Sequence, residues 1–298
     1  MKLLLSLITL VIFNFCFAQD TAYYNAVRFG KPVGKQLSWK KGNTEFYYYY
    51  EFNDRGRGPS ITSHITTNDK GNIIGQYITG VDYYKTKVDE KFEVKNGKAS
   101  WKNKFENKTV PYKGEVYSNI NGTPAENELI LKLLKQSPTK KVSILPSGNL
   151  EFKVVKETTV TDDNNNKLSI QLIGFSGLGG PPFYTWYDVN GNFFGSLSDW
   201  MSIIKKSFEK NIEELLATQK IYEKKFFTDL SAAGTEEYPQ GIAIKNVTVF
   251  NAAEGSTFIN GTVLIKNNLI EKVGGSSFIK IPAGYKVIDG TNKFLMPG

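Results

Sequence analysis

The strongest constraint on this chain is its punctuation. Between residues 22 and 198, turn residues recur about every 8–12 positions, and most segments between them have strand character. Residues 44–52 contain Phe46-Tyr47-Tyr48-Tyr49-Tyr50, a strong strand former. Asp54-Arg55-Gly56-Arg57-Gly58-Pro59 is a turn, and residues 60–67 alternate through Ile61 and Ile65. Asn68-Asp69-Lys70-Gly71-Asn72 turns the chain again. Ile74, Gln76 and Ile78 then lie on one side of a strand and Tyr77 on the other. Asn96-Gly97 and Asn190-Gly191 are dipeptides that two-residue hairpin loops prefer. The pattern predicts a meander, a curved antiparallel sheet, so the fold class is mainly β within α+β.

Two stretches carry a helical period instead. Residues 124–136 open with Pro124 and place Glu126 and Glu128 early, as a helix N-terminus favours. Residues 199–227 bring Met201, Ile204, Phe208, Ile212, Leu215, Leu216 and Tyr222 round at three- and four-residue steps, with Ser198 as N-cap. The opposite face holds Lys205, Lys206, Glu209, Lys210, Glu213 and Lys220. One long helix packed on its own sheet is expected, with a partner or second subunit as the alternative cover.

At 298 residues, about two domains of ~150 residues each fit. A hydrophobic share of 40% with 22% charged residues suits a folded chain rather than a disordered one. The net charge is +8, but the lysines are scattered and mixed with acids, which argues against a nucleic-acid stripe. Residues 1–18 read as a signal peptide: Lys2, an apolar run from Leu3 to Phe17, and cleavage after Ala18. That run is too short and wrongly flanked to be a spanning helix, so the expected location is periplasmic or secreted, with no transmembrane helix after cleavage. Cys16 is the only cysteine, which leaves the processed chain without thiol or disulfide chemistry. The polar stretch 228–240 is the best boundary. The expected organisation is a β-rich module over 19–230, with helices near 124–136 and 199–227, then a β segment over 241–298.

Candidate chemistry is sparse. His64 is the only histidine, whereas a hydrolytic metal site needs three or more converging ligands. Asp82, Glu90, Glu93 and Asp188 are acids of the kind that pair in glycosidases, but nothing in the sequence pairs them. Tyr184, Trp186 and Trp200 could line a sugar face or pack a core. Asp162-Asp163-Asn164-Asn165-Asn166 lacks the glycine and distal glutamate of a calcium loop. Ser176-Gly177-Leu178-Gly179-Gly180-Pro181-Pro182 lacks a phosphate-loop signature, and Gly174-Phe175-Ser176-Gly177 falls short of a nucleophile elbow. No catalytic, cofactor-binding or metal-binding residue can be named from the sequence.

The last stretch suggests a family. After a β run at 242–249 come Val263-Leu264-Ile265, the Asn267-Asn268 turn and Ile270-Glu271-Lys272-Val273-Gly274. Ile281-Pro282-Ala283-Gly284 follows, then Val287-Ile288-Asp289-Gly290-Thr291-Asn292-Lys293-Phe294-Leu295-Met296-Pro297-Gly298. This ordered string resembles the N-terminal strands of the amidohydrolase superfamily of metal-dependent hydrolases. The resemblance implies a small partial β-sandwich over 241–298 beside a (β/α)8 barrel that is absent here, the sequence ending before the family's His-x-His metal pair. Asp289 and Lys293 match the pattern as turn and strand residues of the sandwich. The complete enzyme would hydrolyse non-peptide C–N bonds of a small amide substrate with a divalent metal, zinc by expectation, and this fragment alone would be inactive. The rival expectation is an exported, non-catalytic β-rich module that binds a lipid or a protein partner.

Overall fold

The structure is a computed structural model and describes residues 21–297. The signal-peptide reading of residues 1–18, with Cys16, lies outside the described residues. The fold is mainly β, with two α-helices and no (β/α)8 barrel among the described residues. Contacts divide the chain into two compact units, Met1–Phe227 and Thr228–Gly298.

The first unit contains fifteen strands in one sheet. They are β1 (Ala22–Arg28), β2 (Lys31–Lys41), β3 (Glu45–Phe52), β4 (Ser60–Thr67), β5 (Ile73–Val81), β6 (Lys87–Lys95), β7 (Lys98–Lys102), β8 (Asn107–Pro111) and β9 (Val116–Tyr117). Helix α1 (Asn127–Gln136) follows a 3-10 turn at Pro124–Glu126. The sheet resumes with β10 (Lys141–Leu145), β11 (Asn149–Thr161), β12 (Lys167–Ser176), β13 (Phe183–Asp188), β14 (Phe193–Ser196) and β15 (Ser202–Lys205), and α2 (Ile212–Gly234) comes next. Most strands pair with their sequence neighbour. Two pairings complete the order: β1 joins β15 antiparallel, and β9 joins β10 in parallel across α1. The path begins at β8 and finishes at β9, so the sheet curls almost into a ring and leaves a seam between those two strands.

Helix α1 fills the concave side. Tyr48 of β3 donates to Glu128, Gln76 of β5 donates to Glu126, the Ala125 amide donates to Gln36 of β2, and the Phe193 amide of β14 donates to Glu128. Strands far apart along the sheet can meet one helix only if the sheet wraps around it. Leu129, Leu131 and Leu134 are buried there among Tyr24, Phe92, Trp101 and Phe175. Each such leucine contributes about 1.5–3 kcal/mol by leaving water. A second cluster forms on the convex face, where Val27, Ile170, Leu172, Trp186 and Ile204 meet Phe208 and Leu215 of the segment leading through α2.

The expected long helix over 199–227 is corrected here. Residues 202–205 are strand β15, and the helix starts at Ile212. Ile203 faces the concave core and Ile204 the convex one, so this strand is buried on both faces. Its pairing with β1 and β14 satisfies backbone groups of those strands that a helix here would leave without a partner. Ser198, expected as an N-cap, instead braces the turn before β15, bonding the Met201 backbone.

The second unit is a single sheet. It contains β16 (Ile242–Asn251), β17 (Ser256–Lys266), β18 (Leu269–Gly275), β19 (Lys286–Asp289) and β20 (Phe294–Leu295). The strand order is β18-β17-β16-β19, with β20 also on β16. Val247, Val249 and Val263 form its small core, while Ile270, Val273, Ile288 and Phe294 are exposed.

Candidate functional site

In an up-and-down sheet the loops sort onto two rims. One rim collects the β1–β2, β3–β4, β5–β6, β7–β8, β12–β13 and β14–β15 loops, with the β10–β11 loop (Pro146-Ser147-Gly148) beside them carrying neither an aromatic ring nor an arginine. In sheet order, its tips carry Phe105, Tyr84, the Arg55 and Arg57 pair, Phe29, Trp200, then Leu178 with Phe183. Phe29 is 77% exposed, Tyr84 and Phe105 75% each, and Trp200 44%. Strands lie about 4.8 Å apart, so successive hairpin tips stand roughly 10 Å from one another. The opposite rim is made of Gly42-Asn43-Thr44, residues 68–72, Asn96-Gly97, residues 162–166 and residues 189–192. Val189 is the one exposed large apolar side chain in those loops.

A hub organises the first rim. All three arginines of the chain, Arg28, Arg55 and Arg57, converge on Asp54, which is 1% exposed. Tyr83 donates its hydroxyl to Asp54 at 2.6 Å, and the Arg55 Nε donates at 3.0 Å. The Tyr83 hydroxyl and the neighbouring guanidinium hold the Asp54 carboxyl down at about 2. Arg28 lies over Phe29 at 4.9 Å and over Trp200 at 6.0 Å, and Arg57 lies over Tyr83 at 5.2 Å. Trp200 meets Phe52 and Tyr83 edge-on at 5.6 and 5.8 Å. Lys85 ties the β5–β6 loop to the Gly58 carbonyl at 2.6 Å, and Lys104 lies over Phe105 at 5.9 Å. Three cations on one carboxylate leave the hub net positive, with aromatic faces beside it. A cavity of about 410 Å³ opens on the same rim beneath Phe105 and Ile120.

Phe29 has a further peculiarity. It occupies a two-residue hairpin loop with Gly30, at φ 49° and 71° respectively. Asn96-Gly97 on the opposite rim adopts φ 50° and 70°. Asparagine suits that left-handed position, whereas a bulky aromatic residue there is strained. Strain retained under an exposed side chain is a hint of function.

The other candidate residues are accounted for individually. Glu90 is buried, and its carboxylate accepts from Tyr117, from the Ile120 and Asn121 amides and from the Asn121 side chain, so it anchors the segment before α1. Asp82 caps its own turn through the Tyr84 and Thr86 amides. Asp82 and Glu90 line the 410 Å³ cavity together, but both are committed to these contacts. Glu93 bridges Lys91 and Lys95, and Asp188 caps the 188–192 turn through Asn192. Trp186 is core, and Tyr184 donates to the Tyr222 carbonyl. Asp162 spends its oxygens on Asn164 and Asn166. His64 stacks on Tyr47 at 4.3 Å, and Tyr47 stacks on Trp39 at 5.6 Å. Among the described residues no group of three or more His, Cys, Asp or Glu is placed to hold a metal.

The comparisons with known proteins correct the amidohydrolase resemblance. No family model matches the chain, and no curated protein matches it. A solved structure that does match is the crystal structure of a β-barrel-like protein of a domain of unknown function, DUF1849, from Brucella abortus. It is 13% identical, covers 62% of this chain and 94% of its own, and superposes with a TM-score of 0.41. None of these is an amidohydrolase. Local turn chemistry accounts for the string that carried the resemblance. Asn267 and Asn268 both take positive φ between β17 and β18, Gly284 turns at φ 85°, and Asp289 caps the turn at Thr291. The partial sandwich, the zinc and the amide substrate were implied by that resemblance alone and lose that support.

Proposed function

We propose that the chain is an exported, non-catalytic binding module that docks on an anionic lipid surface through its aromatic, arginine-bearing rim. The observation that carries this reading is the row of six consecutive hairpin tips, each bearing an exposed large apolar side chain or exposed arginines. Aromatic rings standing singly on separate loops suit the headgroup layer, where an amphipathic ring can sit between water and acyl chains. Guanidiniums beside them add attraction to anionic lipid, about 1 kcal/mol per basic residue near the surface. An acyl chain swallowed between sheet and helix is not favoured, because Ile212, Leu215 and Leu216 of α2 pack directly on the convex cluster. No helix among the described residues is long and apolar enough to cross a membrane. Surface attachment would therefore rest on the loops.

The test is co-sedimentation with vesicles, using the chain from Gln19 onward, which keeps every described residue. Binding to phosphatidylglycerol-containing vesicles is expected, falling with added salt. Tyr84→Ser with Phe105→Ser, both at exposed tips, should weaken it at least tenfold. Equal sedimentation with pure phosphatidylcholine, or an unaffected double variant, would overturn the reading.

A further inference from the structure

The second unit leaves one edge of its sheet bare. Strand β18 is the last in its order, and among the described residues no strand pairs on its outer side. Every residue from Leu269 to Val273 is exposed, Leu269 at 70%, Ile270 at 67% and Val273 at 47%. An apolar edge of this kind is a template for another chain. The free edge β8 of the first unit ends on Pro111, which has no amide to offer, whereas β18 contains no proline. The register shows which groups β18 presents. Asn267 and Asn268, both at positive φ, form a two-residue hairpin loop flanked by the Lys266–Leu269 pair. Leu269 therefore bonds inward, and Ile270 turns its amide and carbonyl outward. From the other end, the Ser276 amide donates to the Asn260 carbonyl, which turns the backbone groups of Gly275 and Val273 outward as well. Between them lies a bulge. Ile270 stands opposite Ile265 and Lys272 opposite Leu264, so Glu271 is an extra residue.

We propose that β18 pairs antiparallel with β18 of a second copy of this chain, about a two-fold axis between Glu271 and Lys272. A regular strand laid along this edge would bond Ile270 and fall out of step before Val273. A second copy carries the same extra residue at the same place, so the two bulges match. In that register Ile270 faces the partner's Val273, and Glu271 faces the partner's Lys272. Each Ile270–Val273 pair joins two outward-turned backbones, which exchange both hydrogen bonds. Ile270 and Val273 also lie opposite Ile265 and Val263, on the face of the unit's small core, so the apolar surface continues across the contact. Opposite charges facing each other across strands add to the pairing. The Tyr285 hydroxyl holds one oxygen of Glu271 at 2.5 Å and leaves the other for the partner. The contact is far shorter than the roughly 20–30 residues a side of a standard interface, so the dimer is weak, forming at tens of micromolar chain. It rests on the second unit alone and is independent of the lipid-docking reading.

The test is sedimentation velocity of the chain from Gln19, over a series reaching hundreds of micromolar. A monomer–dimer equilibrium is expected. Ile270→Lys, at an exposed position, should abolish the dimer over that range. Glu271→Lys sets like charges opposite each other at both symmetry-related places and should weaken dimerisation about tenfold. Glu271→Lys combined with Lys272→Glu exchanges the pair and should restore the affinity to within about threefold of the unaltered chain. The double variant also loses the Tyr285 contact, so its recovery separates pairing from local loosening. A chain that stays monomeric throughout would overturn the proposal. So would a dimer untouched by Ile270→Lys, or a double variant no better than Glu271→Lys.

Discussion

The two rims of the first unit are built from the same strands and by the same kind of hairpin, yet they are finished differently. Asn96-Gly97 and Phe29-Gly30 share one turn geometry. The first uses the residue that the turn prefers, and the second puts an exposed phenylalanine in its place. The polar rim is closed by asparagine, aspartate and glycine, each serving the backbone: Asn68, Asp162 and Asp188 all accept from amides of their own turns. The aromatic rim has a capping aspartate at Asp82, but its tips also display exposed rings, Phe29, Tyr84 and Phe105 above all. Where two loops solve the same geometric problem, the one that accepts strain for an exposed ring is the one the proposed docking would use.

The hardest test of that contrast is charge reversal. Arg55→Glu with Arg57→Glu changes four charge units at the docking rim. At about 1 kcal/mol per unit near an anionic surface, vesicle affinity should fall up to about a thousandfold. Lys70→Glu with Lys167→Glu, on the polar rim, should change affinity severalfold at most through net charge. Equal losses from the two pairs, measured by co-sedimentation at one ionic strength, would erase the distinction between the rims.

Much of this architecture is legible in the sequence because turns are local. Asn96-Gly97, Asn190-Gly191 and Asn267-Asn268 each sit at a strand junction, where Asn96, Gly97, Gly191, Asn267 and Asn268 take the positive φ that few residues accept. Strand β15 was illegible for a physical reason. Ile203 and Ile204 are both buried, so the alternation that reveals a strand is erased and a helical period can be drawn through Met201, Ile204 and Phe208. The aromatic rim was illegible because its members are 171 positions apart, from Phe29 to Trp200, and only the β1–β15 pairing brings them together. Trp200 is one of three rings that the sequence offers for lining a sugar face or packing a core. The Asp54 hub had one available signal, in that two of three arginines flank one aspartate within four residues.

Buried carboxylates extend the comparison inward, because Asp54 and Glu126 are perturbed in opposite directions. Glu126 is raised to about 7, burial being the main cause, and Asn119, Gln76 and Ser63 hydrogen bonds only partly offset it. A carboxyl raised in the folded state holds its proton while the unfolded chain releases it, so stability falls as pH rises from about 4.3 to about 7. Glu126→Gln should therefore be nearly neutral at pH 4 and stabilising above pH 7, by up to about 3 kcal/mol at one pKa unit per 1.36 kcal/mol. Asp54 behaves the other way. Its stabilisation is fully present above about pH 4 and is lost as pH falls toward about 2. Asp54→Asn should lower the thermal midpoint at pH 6, and its deficit against the unaltered chain should shrink between pH 4 and pH 2. A deficit for Asp54→Asn that stays flat with pH, or a Glu126→Gln benefit that is the same at pH 4 and pH 8, would show that these carboxyls do not titrate as described.

The finest test exchanges the two matched turns. Phe29→Asn installs the residue preferred at that left-handed position and removes a side chain that is 77% exposed, with the Arg28 guanidinium over its ring. Relief of the strained φ should stabilise the unit by about 1 kcal/mol, the low end of what such backbone positions cost, while loss of the ring should weaken vesicle binding severalfold. Asn96→Phe makes the reciprocal change on the polar rim. It should destabilise by a similar amount and add nothing to binding at the aromatic rim. Denaturant melts and co-sedimentation on the two variants separate the effects, because stability and affinity must move in opposite directions for Phe29→Asn. If they move together, Phe29 is held for the fold and the strain has no functional meaning. If only stability moves, the ring is displayed without touching lipid, and the docking face must be narrowed to the arginines and the tips carrying Tyr84, Phe105 and Trp200.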